Sequence, residues 1–333
     1  MLISIVIPAH NRPAFLLEAA SSIAKQAYSN FEVIVVDDGS EPPISQTDLE
    51  EVLGRRVQLY RHDSAQGVPK AKNAGVNAAR GDVVLILDDD DLLMPDALER
   101  IYCAFSSYPE IDCLFLGVQP FGLYADGPAK SRDVALGGII GRSNPEERNG
   151  LYFFSEAIFD ALLVAVPIDF QRPAARRSMW NIVGGFDEDC LFSESAWAIH
   201  ASCVGKVALT KMPVTQWRIH GNNFGWPSNL ELEQIQRRQI DNGINSAAQL
   251  LKVFDKEERA WRVRAKRLRK HHSDQLFSKA YYLRGKNWPE GTKALLQSFY
   301  WAPRPLHLKL AVKYFLPLRW IEQVFGSKKA DGM

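Results

Sequence analysis

The four cysteines, Cys103, Cys113, Cys190 and Cys203, show no CxxC spacing. That absence argues against a zinc site or a disulfide framework and leaves reduced thiols in a cytosolic protein as the reading. A basic leader is missing as well. The apolar start Met1-Leu2-Ile3-Ser4-Ile5-Val6-Ile7-Pro8 is too short for a signal peptide. Long charge-free apolar runs are also lacking. The most apolar later stretch, 151–170, contains Glu156, Asp160 and Asp169, which disfavour a membrane span. No internal repeat and no low-complexity tract occurs.

What is present is a globular composition, with 46% hydrophobic and 24% charged residues. A chain of 333 residues suffices for one large domain or two ordinary ones. The net charge of +1 hides an asymmetry. Of 40 Lys/Arg and 39 Asp/Glu, residues 231–333 hold 21 and 10, leaving 19 and 29 in residues 1–230. An acidic front and a basic tail point to two parts with different partners.

The first hundred residues alternate short β-rich runs with helical spacing. Leu2–Ile7, Phe31–Val36, Val57–Tyr60 and Val83–Leu87 read as strands, and Pro13–Gln26, Pro69–Ala79 and Pro95–Ser106 as helices. Pro95 suits a first helical position, with Met94 then the cap. The alternation predicts an α/β fold, an open parallel sheet with helices on both faces. Ligands of such sheets bind beyond the carboxyl ends of the strands. Three polar clusters fall there: His10-Asn11-Arg12, Asp37-Asp38-Gly39-Ser40 and Asp88-Asp89-Asp90-Asp91. Residues 126–149, rich in Gly, Ser, Asn and Arg, read as a long loop or flap, and everything beyond Trp226 as helical and basic.

Four consecutive aspartates after a buried strand repel one another, and a hard divalent cation removes that cost. Alternate residues of an extended segment point the same way, so Asp88 and Asp90 share a face. Capping of the next helix accounts for at most one of the four. Asp37-Asp38-Gly39-Ser40 is by itself an ordinary turn. Its convergence with the aspartates favours carboxylates accepting from a nucleobase or ribose.

Several segments together resemble the family 2 glycosyltransferases, which have the GT-A fold. They are Ile5 to Arg12, Val35 to Ser40, Asn73-Ala74-Gly75 with Arg80-Gly81-Asp82, and Leu87 to Asp91 with Pro95 to Leu98. Arg176-Arg177-Ser178, Gly184 to Glu188 and Trp217 to Asn223 follow in order. The resemblance covers residues 3–223 and implies a GT-A type, mostly parallel sheet flanked by helices, with a helical C-terminal extension. It implies a catalytic domain over 1–226, with a nucleotide-binding half 1–110 and an acceptor half 111–226. A basic helical region follows over 227–333. By the same resemblance Pro8, Asn11, Arg12, Asp37, Asp38, Asp89 and Arg218 would bind a nucleotide-sugar. Asp88, Asp90 and His220 would hold Mn²⁺ or Mg²⁺.

The expected reaction is inverting transfer from a UDP-sugar to a glycan or lipid-linked acceptor in bacterial surface polysaccharide synthesis. Family members usually carry Glu-Asp about ten residues after Gly-Gly-Phe-Asp, the Asp being the base. This chain has Glu194-Ser195. A serine hydroxyl is not a competent base at neutral pH without a partner, so Glu194 is the expected catalytic residue, ahead of Asp187, Glu188 and Asp189. The alternative is an inactive nucleotide-sugar-binding paralogue. A sugar nucleotidyltransferase is set aside, because Pro8-Ala9-His10-Asn11-Arg12 is not that class's glycine-rich loop.

In the tail, Arg262, Arg264, Lys266, Arg267, Arg269 and Lys270 crowd one stretch beside Trp261, Ala265 and Leu268. A solvated helix face with a thin apolar stripe is the first reading. Attraction to anionic lipid headgroups or an acidic glycan is the second, and for the amphipathic segment 306–325 packing on the catalytic domain is expected ahead of a place in the membrane interface. The expected location is cytoplasmic, with a peripheral place at the inner face of the membrane under that second reading. No nucleic-acid recognition motif accompanies the charge.

Overall fold

A computed structural model describes residues 1–190, 193–220, 223, 232–254, 262–284, 286–307 and 310. The chain forms two compact units, Met1–Asn229 and Leu230–Met333. Gly221, Asn222, Trp261, the 226/227 boundary and most of segment 306–325 lie outside the described residues.

The first unit begins β1 (Ile3–Ala9), α1 (Pro13–Ala24), β2 (Phe31–Asp37), α2 (Gln46–Leu53), β3 (Val57–Arg61), α3 (Val68–Ala78) and β4 (Val83–Ile86). It continues β5 (Leu92–Leu93), α4 (Ala97–Ser107), β6 (Cys113–Phe115), β7 (Val118–Phe121), α5 (Asp126–Ser143), β8 (Glu146–Arg148) and β9 (Leu151–Phe153). Then come α6 (Ala157–Val164), β10 (Pro173–Arg176), α7 (Arg177–Val183), α8 (Ser193–Val204), β11 (Val207–Thr210) and β12 (Thr215–Arg218).

One sheet runs β3-β2-β1-β4-β10-β6-β11-β9-β8. Its first four strands are parallel, as the alternation predicts. Beyond β4 the sheet is mixed rather than mostly parallel, because β10 is antiparallel to both β4 and β6, and β9 to both β11 and β8.

Strands β1 and β2 are apolar but for Ser4, Glu32 and the terminal Asp37, and Ser4 Oγ donates to Glu32 Oε1 at 2.7 Å. Ile3, Ile5, Ile7, Val33 and Val35 pack with Leu16, Ala19, Ala20 and Ile23 of α1. On the opposite face, Val6 and Val36 lie under Gly75 of α3. Both faces are covered, so apolar residues occupy positions of either parity in the two strands.

Two sequence expectations are corrected. Helix α4 starts at Ala97 with Asp96 as N-cap, so Pro95 lies ahead of it and Met94 is not the cap. Residues 126–143 are helix α5, not a flap. Its four glycines disfavour a helix, but tertiary anchors override propensity. Arg132 pairs with the fully buried Asp169, and Ile139 is buried.

The second unit contains α9 (Leu232–Phe254), α10 (Arg262–Leu283) and α11 (Trp288–Trp301). In α10, Ala265 and Leu268 are buried while Arg262, Lys266, Arg267 and Lys270 are exposed. That is the solvated face with a thin apolar stripe. Ser273 and Ser298 hydrogen-bond between α10 and α11. Among the described residues no helix is long and apolar enough to cross a membrane.

Candidate active site

Pro8 opens the site by what it cannot do. Strand β4 follows β1 to Val6, and Leu87 N–H still donates to Val6 C=O at 3.0 Å. The next ladder bond would need an N–H on residue 8, and proline has none. The strands part there, and Asp88 to Asp91 leave the sheet beside His10, Asn11 and Arg12. The His10 N–H donates to Asp89 Oδ2 at 3.3 Å, and Arg12 pairs with Asp89 at 3.2 Å and with Asp90.

Asn11 has φ +53°, a left-handed conformation that Asn tolerates better than most residues. Its N–H donates to Ser40 Oγ at 2.9 Å, and its Oδ1 accepts from Glu41 N–H at 2.8 Å. It therefore joins the loop after β1 to the turn after β2. Gly39, at φ +72°, lies where a Cβ would come within 2.5 Å of the Ala65 nitrogen. Only glycine fits both demands.

Asp37 is 0% exposed. Its carboxylate accepts from the N–H groups of Ser40 and Ile44 and pairs with Arg61. Asp38 accepts from the N–H groups of Gln66 and Gly67, and lies 2.7 Å from His62 Nδ1. Burial opposes both charges, yet these partners outweigh it and hold both acids below the usual carboxylate range. Asp37 and Asp89 are 0% and 1% exposed, and protein donors engage the carboxylates of both.

A second, three-stranded sheet, β5-β12-β7, delivers the rest. Strand β5 leaves the aspartate cluster and pairs antiparallel with β12, Thr215 opposite Leu93. That register sets Arg218 beside the cluster. Its N–H donates to Asp91 Oδ1 at 3.0 Å and its Nε–H to the Asp90 carbonyl at 2.9 Å. Two residues on, His220 Nε2 is 3.1 Å from Asp90 Oδ2.

Two important residues, Arg172 and Lys72, lie outside the sequence motifs, and Asp91, within the aspartate run, carries no expected role of its own. Arg172, from the turn before β10, bridges Asp88 and Asp91 at 2.8 Å each. Lys72 of α3 is 1% exposed, and its Nζ lies 2.9 Å from Asp88 Oδ1 and 2.7 Å from Glu194 Oε1. Asp91 is fully buried and adds an oxygen to the cluster. One signal for Lys72 exists in the sequence. It shares the inward face of α3 with Pro69, Gly75 and Val76, where a lysine is out of place unless paired.

The electrostatics follow from this crowding. Burial opposes ionisation of Asp88, but Arg172 and Lys72 hold it far below the usual range. Burial pushes Asp89 up to about 8, offset in part by Arg12 and reinforced by Asp90 and Asp88. Burial likewise pushes Asp91 up to about 7, offset in part by Arg172 and reinforced by Asp90 and Asp88. A hard divalent cation would relieve this crowding and favour the ionised carboxylates. Among the described residues, Asp88, Asp90 and Asp91 offer oxygens within 4.8 Å of one another. The Asp91 side chain is 0% exposed, whereas those of Asp88 and Asp90 are 25% and 11% exposed, which leaves Asp88 and Asp90 as the better pair.

Comparison with known proteins agrees with this geometry. Over 102 residues the chain is 35% identical to glycosyltransferase GlyG of Streptococcus pneumoniae, covering 30% of this chain and 34% of that protein. Over 117 residues it is 37% identical to O-antigen biosynthesis protein RfbC of Myxococcus xanthus, covering 34% and 9%. The chain thus spans about a third or less of the length of these relatives. S. aureus TarS 1–349 in complex with UDP-GlcNAc has a TM-score of 0.61 at 16% identity, over 94% of this chain and 88% of that one. Mannosyltransferase PcManGT from Pyrobaculum calidifontis, in complex with GDP-Man and Mn²⁺, has 0.54 at 16%, over 93% and 78%. The fold is that of these GT-A enzymes. Residues 4–180, more than half the chain, match the model of glycosyl transferase family 2, and with the strand-end carboxylates this places the chain in that family.

Proposed function

We propose that the chain is a metal-dependent, inverting glycosyltransferase that takes a sugar from a UDP-linked donor to a glycan or lipid-linked acceptor of a bacterial cell surface. The observation that carries this reading is convergence. Arg12 beyond β1, Asp88 to Asp91 beyond β4, His220 beyond β12 and Glu194 of α8 meet through Arg12–Asp90, His220–Asp90, Lys72–Asp88 and Lys72–Glu194. The UDP-GlcNAc bound by TarS and the GDP-Man and Mn²⁺ bound by PcManGT support the donor class and the ion. The name of RfbC supports the pathway.

Asp88, Asp90 and His220 would hold Mn²⁺ or Mg²⁺, which when bound neutralises diphosphate oxygens and stabilises the leaving group. Pro8, Asn11, Asp37, Asp38 and Asp89 would line the nucleotide side of the site, and Arg12 and Arg218 would add positive charge for the phosphates. Glu194 stands in the first turn of α8, where a carboxylate is favoured. With Oε1 on Lys72, its other oxygen takes the acceptor's proton as the acceptor attacks opposite the leaving group. The catalytic domain is assigned to 1–226 and the basic helical region to 227–333. Peripheral attachment of that region to anionic membrane at the cytoplasmic face is part of the same proposal.

Calorimetric titration of UDP and GDP, with and without Mn²⁺, is the test. UDP binding that needs Mn²⁺ and weakens about 10- to 100-fold in Asp90→Ala is expected. Folded protein that binds neither nucleotide would sink the proposal. Glu194→Gln is expected to keep UDP affinity while lowering donor hydrolysis about 100- to 10,000-fold. Nucleotide binding with an equally low wild-type hydrolysis would favour the paralogue reading, which Ser195 motivates.

A further inference from the structure

The geometry points to Lys72 as the positioning residue that ties the metal-holding aspartate to the proton acceptor, an inference that rests on the transferase reading above. Its ammonium bridges Asp88 on the strand-end cluster and Glu194 on α8, 122 residues further along the chain. No solvent competes, since the lysine is 1% exposed. Burial opposes its charge, so the ammonium is kept only by the two carboxylates it joins.

The helix that carries Lys72 is itself fixed on both sides. Gly75, one turn on, allows α3 to sit against Val6 of β1, where a Cβ would come within 2.2 Å of Val6 Cγ1. Asn73, the next residue, clasps the backbone of Phe186. Its Nδ2 donates to the Phe186 carbonyl at 2.8 Å, and its Oδ1 accepts from the Phe186 N–H at 2.7 Å. Two adjacent side chains of α3 thus fix the segment before α8 and the first turn of α8. Lys72 sets the distance between the donor diphosphate, held through Asp88, and the oxygen of Glu194 that receives the proton. An ammonium serves because it is a compact charge with three donors, able to serve carboxylates on different elements.

The same contact makes Lys72 a competitor of the cation for Asp88. Neutralising it therefore acts in opposite directions on two readouts. In Lys72→Met, Mn²⁺ alone, titrated calorimetrically, is expected to bind about tenfold tighter, because a positive charge next to its ligand is gone. Hydrolysis of UDP-GlcNAc is expected to fall about 100-fold, with KM for the donor changed less than about threefold. Lys72→Arg, which keeps the charge, should recover at least about a tenth of the wild-type kcat. A structural role alone would lower metal affinity and turnover together, and that result, or unchanged turnover, overturns the inference. Should Lys72→Met not fold, Lys72→Met/Glu194→Gln removes both charges and is compared with Glu194→Gln. Equal hydrolysis supports action through Glu194, and a further loss of about tenfold or more refutes it. Wild type that folds but binds no UDP with Mn²⁺ would overturn the transferase reading and this inference together, before any Lys72 variant is made.

Discussion

Arg172 is the residue whose loss the cluster tolerates least. Its guanidinium donates through Nε and Nη2 to Asp91 Oδ2, and Nη2 also reaches Asp88. Replacing it by methionine keeps much of the bulk, strands the fully buried Asp91 carboxylate and leaves Asp88 with Lys72 alone of its two close cations. Breaking a buried ion pair from one side costs about 3–5 kcal/mol, so Arg172→Met should lower the urea midpoint accordingly. Arg172→Lys should recover only part, since an ammonium cannot reproduce the planar fork. An unchanged midpoint would mean that the aspartates are neutral or hydrated without it. The same reasoning explains why the tandem aspartates stood out in the sequence and their partners did not. Four like charges in a row are visible as a conflict, whereas Arg172 resembles any surface cation until folding brings it to Asp88, and Lys72 is marked only by its place on the inward face of α3.

At the scale of elements, α3 shows how tightly the site's frame is set. It starts after Gly67 with Pro69 in its first turn, and its inward face is Ala71, Lys72, Gly75 and Val76. Gly75→Ala raises helix propensity, by roughly 1 kcal/mol for an exposed position, yet here the added methyl meets Val6. Overpacking should win, with a net loss of about 1–3 kcal/mol by denaturant unfolding and partial recovery on adding Val6→Ala. A stabilised Gly75→Ala would show that α3 can lift from β1. Helix α5 teaches the converse lesson. Its composition reads as a loop, and burial of Ile139 with the Arg132–Asp169 pair makes it a helix.

For the whole molecule, acid sensitivity should differ between the two units. In the second unit burial lowers His272 to about 4, with His271 beside it adding to the effect. His271 and His307 are lowered too, chiefly by burial, with Asp274 opposing in both and Arg304 contributing at His307 in both directions. A base whose folded pKa is depressed gives stability that is present above its unfolded pKa near 6.5. That stability is lost as pH falls toward the folded value, because protonation then favours unfolding. Circular dichroism at 222 nm during urea unfolding should therefore show a helical transition that moves to lower urea between pH 7 and pH 5. His272→Gln should make that shift smaller. A transition with the same pH dependence in both proteins would exclude His272 as the cause.

The sequence by itself determined the α/β alternation of the first hundred residues, the strand-end position of the polar clusters and the family. Each of these is local: a run of β-branched residues, a turn, an ordered set of short motifs. It also marked Glu194 as the carboxylate next to the Ser195 departure. The tertiary structure decided what distance in the chain conceals. The mixed half of the sheet depends on β10 entering antiparallel between β4 and β6. Arg218 and His220 reach the aspartates only because β5 pairs with β12. Lys72, Arg172 and Glu194 come to one cluster from three segments, since a buried charge must find its opposite wherever the fold places it.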